Sequence, residues 1–375
     1  MYLKKLSLIN FKNFKDVNLS FADHVNCFVG DNGGGKTNLL DAIHYLSFCK
    51  SFINPIEGQN INHGEGFYMI QGTFELNKKE EKVYCGFKKG NKKTFKRNSK
   101  EYSRLADHIG LLPVVMVSPE DISLISEGSE IRRKLIDTII SQLDKIYLDN
   151  LIEYNKILLQ RNALLKRLAG TVNFDVPSLE VWDEQMVRLG KLIHDKRLAF
   201  MEQFLPIFQE YFNFISGGAE KVSISYSSQL NDKDFSLILA EALDRDRIVQ
   251  YSTVGIHKDD LLFKIEGFPI KKIGSQGQKK SFVIAIRLAQ FDFIKNFKEF
   301  KPLLLLDDIF DKLDPSRVKK LIEKVSGEAF GQIFITHTHK KRLKEVLKNI
   351  AVGYMMFNVN NGLVLLDKKN PSLVK

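Results

Sequence analysis

The sequence predicts an α/β fold built around a phosphate-binding loop, with a long helical segment inserted into it. Three observations support this prediction. A strand-like stretch, a glycine-rich loop and a helix-like stretch follow one another over residues 25–46, which is the order that a phosphate site requires. A second apolar stretch, residues 303–306, ends in two aspartates near the other end of the chain. Between them, apolar residues recur with helical spacing over residues 131–214.

Length and composition are typical of a soluble protein with more than one structural unit. The chain has 375 residues, of which 44% are hydrophobic and 27% are charged, and we expect about two or three units. Its apolar runs are too short to span a bilayer, and the N-terminus lacks the features of a signal peptide. We therefore expect a cytoplasmic protein with no membrane partner. The cysteines at positions 27, 49 and 85 lack metal-site spacing and are expected to be reduced and buried.

Positive charge is concentrated in one part of the chain. The formal net charge is +11, which favours binding to polyanions. Residues 78–104 contain eleven Lys or Arg against three Glu, a net charge of +8. A solvated face is the alternative interpretation of such a run, but its concentration in a short segment favours nucleic-acid contact. A second, weaker basic group follows near the C-terminus: Lys340, Lys341, Arg342, Lys344 and Lys348.

The stretch that carries this charge has the pattern of an antiparallel β-meander. Ahead of it, alternation predicts strands at 2–9, 17–21 and 25–29 and a helix at 36–46. Short alternating runs broken by turns then follow over residues 67–97. The basic residues therefore fall on strands and turns of one sheet. The candidate DNA contacts are six of them: Lys88, Lys89, Lys92, Lys93, Lys96 and Arg97.

The middle of the chain has the pattern of two long helices. Apolar residues repeat at helical spacing over 131–168 and, after a break at 170–177, over 179–214. A hairpin of these helices would form an arm of roughly 55 Å at 1.5 Å per residue, and an ordinary packed helical subdomain is the alternative. We expect residues 119–216 to form this inserted helical domain. Residues 1–118 and 217–375 are expected to form the nucleotide-binding head together.

The glycine-rich loop has the residues of a nucleotide phosphate site. Residues 30–37 match the pattern G-x-x-x-x-G-K-[ST] at every position. The glycines allow backbone N–H groups to turn toward phosphate oxygens at the start of a helix. Lys36 is expected to reach the β- and γ-phosphates of ATP, and Thr37 to ligate Mg²⁺. The nucleotide-binding candidates are nine consecutive residues: Gly30, Asp31, Asn32, Gly33, Gly34, Gly35, Lys36, Thr37 and Asn38.

A partner acid for the metal follows the second apolar strand. Asp307 and Asp308 stand where a P-loop protein has its Walker-B acid. Asp307 is the candidate metal ligand, and Asp308, with Lys36, is a candidate catalytic residue because it can orient or deprotonate the attacking water. The alternative is a pair of acids that only ends a strand at the surface. Since the two halves of the site lie so far apart in sequence, most of the chain is inserted into the nucleotide fold.

A capped helix before this strand resembles the signature segment of ABC-type ATPases. Its serine can cap the helix while neighbouring N–H groups form a second anion site. In ABC heads the related S-G-G-Q segment closes the ATP site of the partner head. Residues 313–314 resemble the D-loop of that superfamily, and His337 or His339 resembles its switch histidine, although either can also be a loop residue. The signature candidates are four residues: Ser275, Gln276, Gly277 and Gln278.

Together these motifs closely resemble the bacterial RecF family over nearly the whole chain. The resemblance rests on several segments: LINFKNF, GKTNLLDAI, CKSF, VSPEDISLISEGSEIRRKLID, GIHKDDLLF, GSQGQKKS and LLLLDDIFDKLD. It implies an ABC-type ATPase head, with a mixed sheet and an antiparallel β-subdomain, and a helical arm in place of the long coiled coil of SMC and Rad50 proteins. The aspartate pair departs from the Asp-Glu of most ABC ATPases, but RecF-like chains usually carry it, and the shorter acid suits slow hydrolysis.

The resemblance also implies a role in recombinational DNA repair and replication, including the response to DNA damage (SOS). It implies an ATP-dependent homodimer that clamps DNA at gaps or junctions, hydrolyses ATP slowly with stimulation by DNA, and helps RecO- and RecR-type partners to load recombinase. Two alternatives remain open at this point. One is the ATPase of a transporter or defence system, which DNA binding would distinguish. The other is an ATP-binding scaffold, which an Asp308→Asn variant would leave unaffected.

Overall fold

The computed structural model describes residues 1–169, 176–218, 220–309, 315–325, 327, 329–347 and 353–367. The chain divides into two compact units. The first comprises Met1–Asp121 and Lys280–Lys375, and the second comprises Ile122–Lys279. The two ends of the chain thus form one unit and its middle forms the other.

The strands of the first unit occur singly or in runs between helices, and those of the second unit follow its long helices. They are: β1 (Tyr2–Phe11), β2 (Phe14–Ser20), β3 (Val25–Val29), β4 (Phe67–Leu76), β5 (Lys79–Lys88), β6 (Thr94–Arg97), β7 (Lys100–Glu101), β8 (Val114–Val117), β9 (Val222–Ser227), β10 (Asp260–Ile265), β11 (Phe268–Pro269), β12 (Leu303–Leu306), β13 (Ile333–His337), β14 (Tyr354–Asn360) and β15 (Leu363–Leu366).

The helices range from single turns to more than ten turns. They are: α1 (Lys36–Phe48), α2 (Ser123–Ser126), α3 (Ser129–Ser141), α4 (Lys145–Arg167), α5 (Val176–Ser216), α6 (Phe235–Glu241), α7 (Leu243–Val249), α8 (Ile270–Ile273), α9 (Gln276–Phe297), α10 (Pro315–Val325) and α11 (Lys340–Leu347). Over the described residues, the helices lack the length or the apolar content that crossing a bilayer requires.

The antiparallel sheet of the first unit has the strand order β2-β1-β4-β5-β6-β7. Strands β4 and β5 pair over their full length, from Phe67 opposite Lys88 to Leu76 opposite Lys79. Buried residues alternate with more exposed ones along these strands, because one face packs on the core and the other faces water. The β-meander predicted for residues 67–97 is therefore confirmed.

A mixed sheet in the same unit has the order β15-β14-β3-β13-β12-β8. Its strands are parallel except for β15, which pairs antiparallel with β14 at the edge. Strands β3, β8, β12 and β13 are buried at every position, as parallel strands covered on both faces are. Because β13 lies between β3 and β12, its carboxyl end separates the glycine loop after β3 from the aspartates after β12.

Helix α1 is buried on nearly all sides, so it belongs to the core rather than to the surface. Its residues Leu39 and Ile43 share one apolar cluster with Phe11 of the antiparallel sheet and Phe28 of the mixed sheet. The core therefore fixes the start of α1, where the glycine loop ends. The three cysteines are free and buried, as predicted.

The second unit combines the long helices with the small sheet β11-β10-β9. Helices α4 and α5 pack against each other, and α5 contains the predicted helical stretch 179–214. The prediction of one helix over 131–168 was wrong, because α3 ends at Ser141 and α4 begins at Lys145. Asp144 between them caps α4 by accepting a hydrogen bond of 2.9 Å from the backbone N–H of Tyr147.

The second unit also ends later than the expected domain limit at residue 216. Strand β9 pairs with β10, α5 packs on β9, and α3 packs on β10. Residues 222–279 are therefore joined to the helices by pairing and packing, and the unit closes at Lys279.

Buried ion pairs tie the helices of this unit to its strands. Arg197 of α5 is 1% exposed and donates to Asp137 of α3 at 2.9 Å, to Asp259 at 2.7 Å and to the carbonyl oxygen of Ile256 at 2.8 Å. Burial raises the pKa of Asp259, and the charge of Arg197 opposes that shift. A buried charge without its partner is strongly destabilising, so this cluster fixes the packing of the unit.

Candidate functional site

The glycine loop folds around its own lysine. Lys36, the first residue of α1, is buried, and its Nζ donates to the carbonyl oxygens of Gly30 and Asp31 at 2.8 Å each. The side chains of Asp31 and Asn32 are exposed. The loop thus places an ammonium group at the start of a helix, where the helix dipole also favours anions.

Two positions of this loop require glycine. A Cβ at Gly30 would lie 2.0 Å from the carbonyl oxygen of Val359 in β14, closer than real atoms approach. Gly35 has φ +114°, in the region that favours glycine, and a Cβ there would lie 2.4 Å from Nδ2 of Asn13. The sequence pattern therefore reflects close packing of the loop against its neighbours.

Asn13, in the turn between β1 and β2, holds the loop in place. Its Nδ2 donates to the carbonyl oxygen of Gly34 at 3.0 Å, and its Oδ1 accepts from Nδ2 of Asn38 at 2.8 Å. Asn38, one of the nucleotide-binding candidates, thus supports the loop through Asn13. Asn13 was not among the predicted site residues, and its only signal in the sequence is its place in the FKNF segment.

The two halves of the predicted phosphate site meet. Oγ1 of Thr37 donates to Oδ1 of Asp307 at 3.0 Å, although 270 positions separate the two residues. Thr336 also donates to the same carboxylate oxygen, at 2.7 Å. Thr336 lies near the end of β13, between the loop and the aspartates, and sequence reasoning missed it because only the strand order brings it there.

Asp307 is 5% exposed, and this burial raises the pKa of its carboxyl group. Hydrogen bonds from Thr336 and Thr37 oppose the shift, and the nearby charge of Asp308 adds to it. A bound cation would favour the ionised form of this carboxyl. The hydroxyl groups around Asp307 already stabilise the charge that a metal ligand must carry.

Asp308 has an unusual backbone and a histidine neighbour. Its φ is +44°, which is strained for a residue other than glycine, and its backbone N–H donates to Oγ1 of Thr336 at 2.9 Å. Nδ1 of His337 lies 3.3 Å from Oδ1 of Asp308. His337 is buried whereas His339 is exposed, so the structure distinguishes the two histidines and places His337 at the aspartate.

The signature candidates form a capping box at the start of α9. Oγ of Ser275 accepts from the backbone N–H of Gln278 at 3.2 Å, while Oε1 of Gln278 accepts from the backbone N–H of Ser275 at 2.7 Å. Nε2 of Gln278 also donates to Glu220 at 2.9 Å. Ser275 and Gln276 are exposed. The predicted cap is confirmed, and its serine is accessible to another molecule.

The six candidate DNA contacts differ in exposure and in whether they form ion pairs within the protein. Nζ of Lys93 contacts Glu57 and donates to the hydroxyl of Tyr45 at 2.9 Å, and its side chain is only 13% exposed. Arg97 makes a bidentate pair with Glu81 at 2.8 and 2.7 Å, which lowers the pKa of that carboxyl. These two cations are therefore paired within the protein, unlike the other candidates.

The other four candidates form no ion pair with the described residues. Lys88, Lys89 and Lys92 are exposed and Lys96 is half-buried, and within the described part of the chain no carboxylate forms an ion pair with them. In the second basic group, Lys340 and Lys344 both pair with Asp367, at 2.9 and 3.4 Å. Residue 348 of that group and the D-loop candidates at 313–314 lie outside the described residues.

The residues at this site fit ATP and Mg²⁺. Mg²⁺ prefers oxygen ligands and is usually held by one or two carboxylates together with substrate phosphates. Thr37 and Asp307 supply a hydroxyl and a carboxylate side by side, next to a loop whose lysine and helix start suit phosphates. Across the described residues, three or more His, Cys, Asp or Glu side chains do not gather into a separate metal-binding group.

The fold and this site define an ABC-type ATPase head: a P-loop and a Walker-B aspartate on a mixed sheet, joined by an antiparallel sheet and interrupted by a helical unit. Residues 2–362 match the family described as the RecF/RecN/SMC N terminal domain. The chain is 50% identical to the DNA replication and repair protein RecF of Flavobacterium johnsoniae over 359 residues, which is 96% of this chain and 100% of that protein. It therefore belongs to the RecF family of DNA replication and repair proteins.

Solved structures agree with this assignment. A structure of the recombination mediator protein RecF-ATP in the RecFOR pathway superposes with a TM-score of 0.86 at 31% identity, covering 97% of this chain and 99% of that chain. An Smc head domain from Pyrococcus furiosus, bound to the C-terminal domain of ScpA, superposes with a TM-score of 0.58 at 18% identity, over 97% of this chain and 95% of that chain. The second likeness concerns the fold alone.

Proposed function

We propose that this protein binds ATP with Mg²⁺, dimerises on ATP, and in that state binds DNA during recombinational repair and replication. The observation that carries the proposal is the contact of 3.0 Å between Thr37 and Asp307, which brings a P-loop and a Walker-B acid together from distant parts of the chain. The RecF-ATP structure, at 31% identity over nearly the whole chain, supports ATP as the nucleotide.

Each residue of the site has a distinct role in this proposal. Lys36 and the backbone N–H groups of the glycine loop hold the phosphates. Thr37 and Asp307 hold Mg²⁺, which when bound neutralises charge on the phosphates and acts as a Lewis acid. Asn13 keeps the loop in shape through Gly34. Asp31, Asn32, Gly33 and the other loop residues form the remaining wall of the phosphate site.

Asp308 is the residue proposed to orient or deprotonate the attacking water. His337 lies 3.3 Å from its carboxylate and can keep that carboxylate in one orientation. Thr336 holds the strained backbone of Asp308 through a hydrogen bond of 2.9 Å. An aspartate reaches less far than a glutamate, so we propose that ATP hydrolysis is slow. We also propose that DNA stimulates hydrolysis and that hydrolysis releases the protein from DNA.

The exposed signature segment accounts for the proposed homodimer. Ser275, Gln276, Gly277 and Gln278 begin a helix whose N–H groups suit a phosphate, and Ser275 is open to solvent. We propose that each subunit uses this segment to close the ATP site of its partner. ATP then stabilises the dimer, because it contacts both subunits only in that state.

The four lysines of the β-meander that form no ion pair with the described residues account for the proposed DNA contact. Lys88, Lys89, Lys92 and Lys96 would bind phosphates, so affinity should fall with salt and depend little on sequence. We propose gaps and junctions of single- and double-stranded DNA as the targets and RecO- and RecR-type proteins as partners in loading recombinase. The naming of the RecFOR pathway for the solved relative supports those partners. We propose that the protein acts in the cytoplasm.

The test is to measure dimerisation and DNA binding with and without ATP and Mg²⁺, at two salt concentrations. We expect a salt-sensitive, DNA-bound dimer only with ATP. Lys36→Ala should lose ATP binding, while Ser275→Arg should bind ATP as a monomer. Asp308→Asn should bind ATP and DNA normally but remain dimeric.

Specific results would contradict parts of this proposal. DNA binding that is indifferent to ATP would contradict the clamp but leave the nucleotide site standing. Absence of DNA binding would contradict the repair role itself. A Ser275→Arg variant that dimerises normally would contradict the role of the signature segment across the dimer.

A further inference from the structure

A cleft of about 370 Å³ opens on the antiparallel sheet of the first unit, over strands β4, β5 and β6. On β5, Tyr84 and Gly86 line the cleft, while the alternating residues Val83 and Cys85 point the other way and are buried in the core. A Cβ at Gly86 would lie 2.5 Å from the hydroxyl oxygen of Tyr84 and 3.1 Å from the ring. The phenol ring therefore lies along the strand across the glycine, where a larger residue would displace it.

Three lysines give the lining of this cleft a positive charge. Lys96 of β6 is the cross-strand neighbour of Tyr84, Lys88 ends β5, and Lys92 belongs to the turn between β5 and β6. Phe67, which is 45% exposed, adds another aromatic ring. Among the described residues that line the cleft, none is acidic.

These lysines differ from other cations of the same sheet. Lys82 pairs with Glu80 at 3.3 Å, and Arg97 pairs with Glu81 at 2.7 Å. In the described part of the chain, Lys88, Lys92 and Lys96 have no carboxylate within ion-pair distance. The cleft thus combines aromatic rings, the half-buried Tyr84 and the exposed Phe67, with uncompensated positive charge. These are the two features of sites that bind single-stranded nucleic acid.

We propose that this cleft binds one unpaired nucleotide of single-stranded DNA, with its base stacked on Tyr84 and its flanking phosphates held by Lys88, Lys92 and Lys96. The inference rests on the proposed DNA binding and adds which form of DNA this surface selects. A base inside a duplex is covered by its neighbours and cannot offer its face to a tyrosine, whereas an unpaired base can. The cleft would therefore favour a gap or a junction over an intact duplex.

The aromatic part of the proposal is tested with Tyr84→Ala and Tyr84→Phe, both with ATP and Mg²⁺ present. Binding is measured by fluorescence anisotropy on a labelled oligothymidine and on a blunt duplex. We expect Tyr84→Ala to bind the single strand about tenfold more weakly and the duplex as the wild type does. Tyr84→Phe keeps the ring and should bind within about twofold of the wild type.

A spectroscopic measurement distinguishes stacking from a loss of fold. A 2-aminopurine placed in an unpaired overhang should change its fluorescence on binding to the wild type and to Tyr84→Phe, because stacking on an aromatic ring alters its environment. It should not change on binding to Tyr84→Ala at saturating protein. An equal fluorescence change with Tyr84→Ala would overturn the stacking role.

The charged part is tested by replacing Lys88, Lys92 and Lys96 together with Gln. The slope of log affinity against log salt for the single strand should decrease by about 2, since each phosphate contact on a single strand contributes about 0.7. The matched control replaces Lys78, Lys79 and Lys100 with Gln. These are exposed residues, and the first two lie at the opposite end of the β4–β5 hairpin, about 30 Å away at 3.4 Å per residue.

The outcomes separate this inference from the proposed function. Equal effects of the two triple variants, or unchanged single-strand affinity in Tyr84→Ala, would overturn the cleft while DNA binding stands. A wild type that binds the blunt duplex but not the oligothymidine would do the same. A wild type that binds neither DNA would overturn the proposed function, and the cleft with it.

Discussion

Replacing Thr336 with Val tests whether the Walker-B strand depends on a residue outside both motifs. Thr336 is fully buried, and its hydroxyl makes two hydrogen bonds: it donates to Asp307 at 2.7 Å and accepts from the N–H of Asp308 at 2.9 Å. Valine has nearly the same shape, so the change removes the hydrogen bonds without opening a large cavity. It removes the acceptor of the Asp308 N–H and a donor to the Asp307 carboxylate.

The size of the expected effect follows from these two bonds. A hydrogen bond to a charged group contributes about 1.5–3 kcal/mol, and a hydrogen bond between neutral groups contributes about 0.5–1.5 kcal/mol. If about 2 kcal/mol of this loss appears as poorer positioning of Asp307 and Asp308 at the transition state, kcat for ATP hydrolysis falls about 30-fold. Part of the remaining loss of free energy would appear as lower thermal stability.

The assay is steady-state phosphate release with saturating ATP, Mg²⁺ and DNA, with ATP affinity measured separately by calorimetry. Thr336→Ser is the matched control, because it keeps the hydroxyl and loses only a methyl group. We expect Thr336→Ser to retain most of the activity. Wild-type kcat in Thr336→Val, or equal losses in both variants, would refute the argument that the hydroxyl positions the aspartates.

Three further predictions concern the core, the loop and the meander. Arg197→Met should lower the unfolding free energy of the second unit by about 3–5 kcal/mol, measured by native-state hydrogen exchange. Burial raises the pKa of Asp259, and loss of the arginine raises it further. The folded variant therefore binds a proton more readily than the unfolded chain, so its loss of stability relative to the wild type should become smaller as the pH falls. Gly35→Ala, with its Cβ 2.4 Å from Asn13, should weaken ATP binding at least about tenfold in calorimetry. Lys93→Gln should lower the melting temperature, because Glu57 loses its partner, yet leave the salt dependence of DNA binding unchanged, whereas Lys92→Gln should reduce it.

The sequence could predict those parts of the site that are contiguous in the chain. The P-loop and the Walker-B strand were found because each is a local pattern, and the boundaries Val25–Val29 and Leu303–Leu306 agree with the structure. Thr336 lay beyond this reasoning, because its position depends on the placement of β13 between β3 and β12. Asn13 was missed for the same reason, since a turn between two other strands brings it to the loop.

Charge is where the reasoning from sequence was weakest, because the count of basic residues does not say which of them are paired. The eleven Lys and Arg of residues 78–104 outnumber the acids there, yet Lys93 reaches a glutamate at position 57, outside the segment. Lys93, Arg97 and Lys82 form ion pairs with glutamates, so their charges are compensated within the protein. Of the lysines that form no ion pair with the described residues, Lys88, Lys92 and Lys96 line the cleft with Tyr84, and this grouping is the basis of the preference for unpaired DNA that we propose.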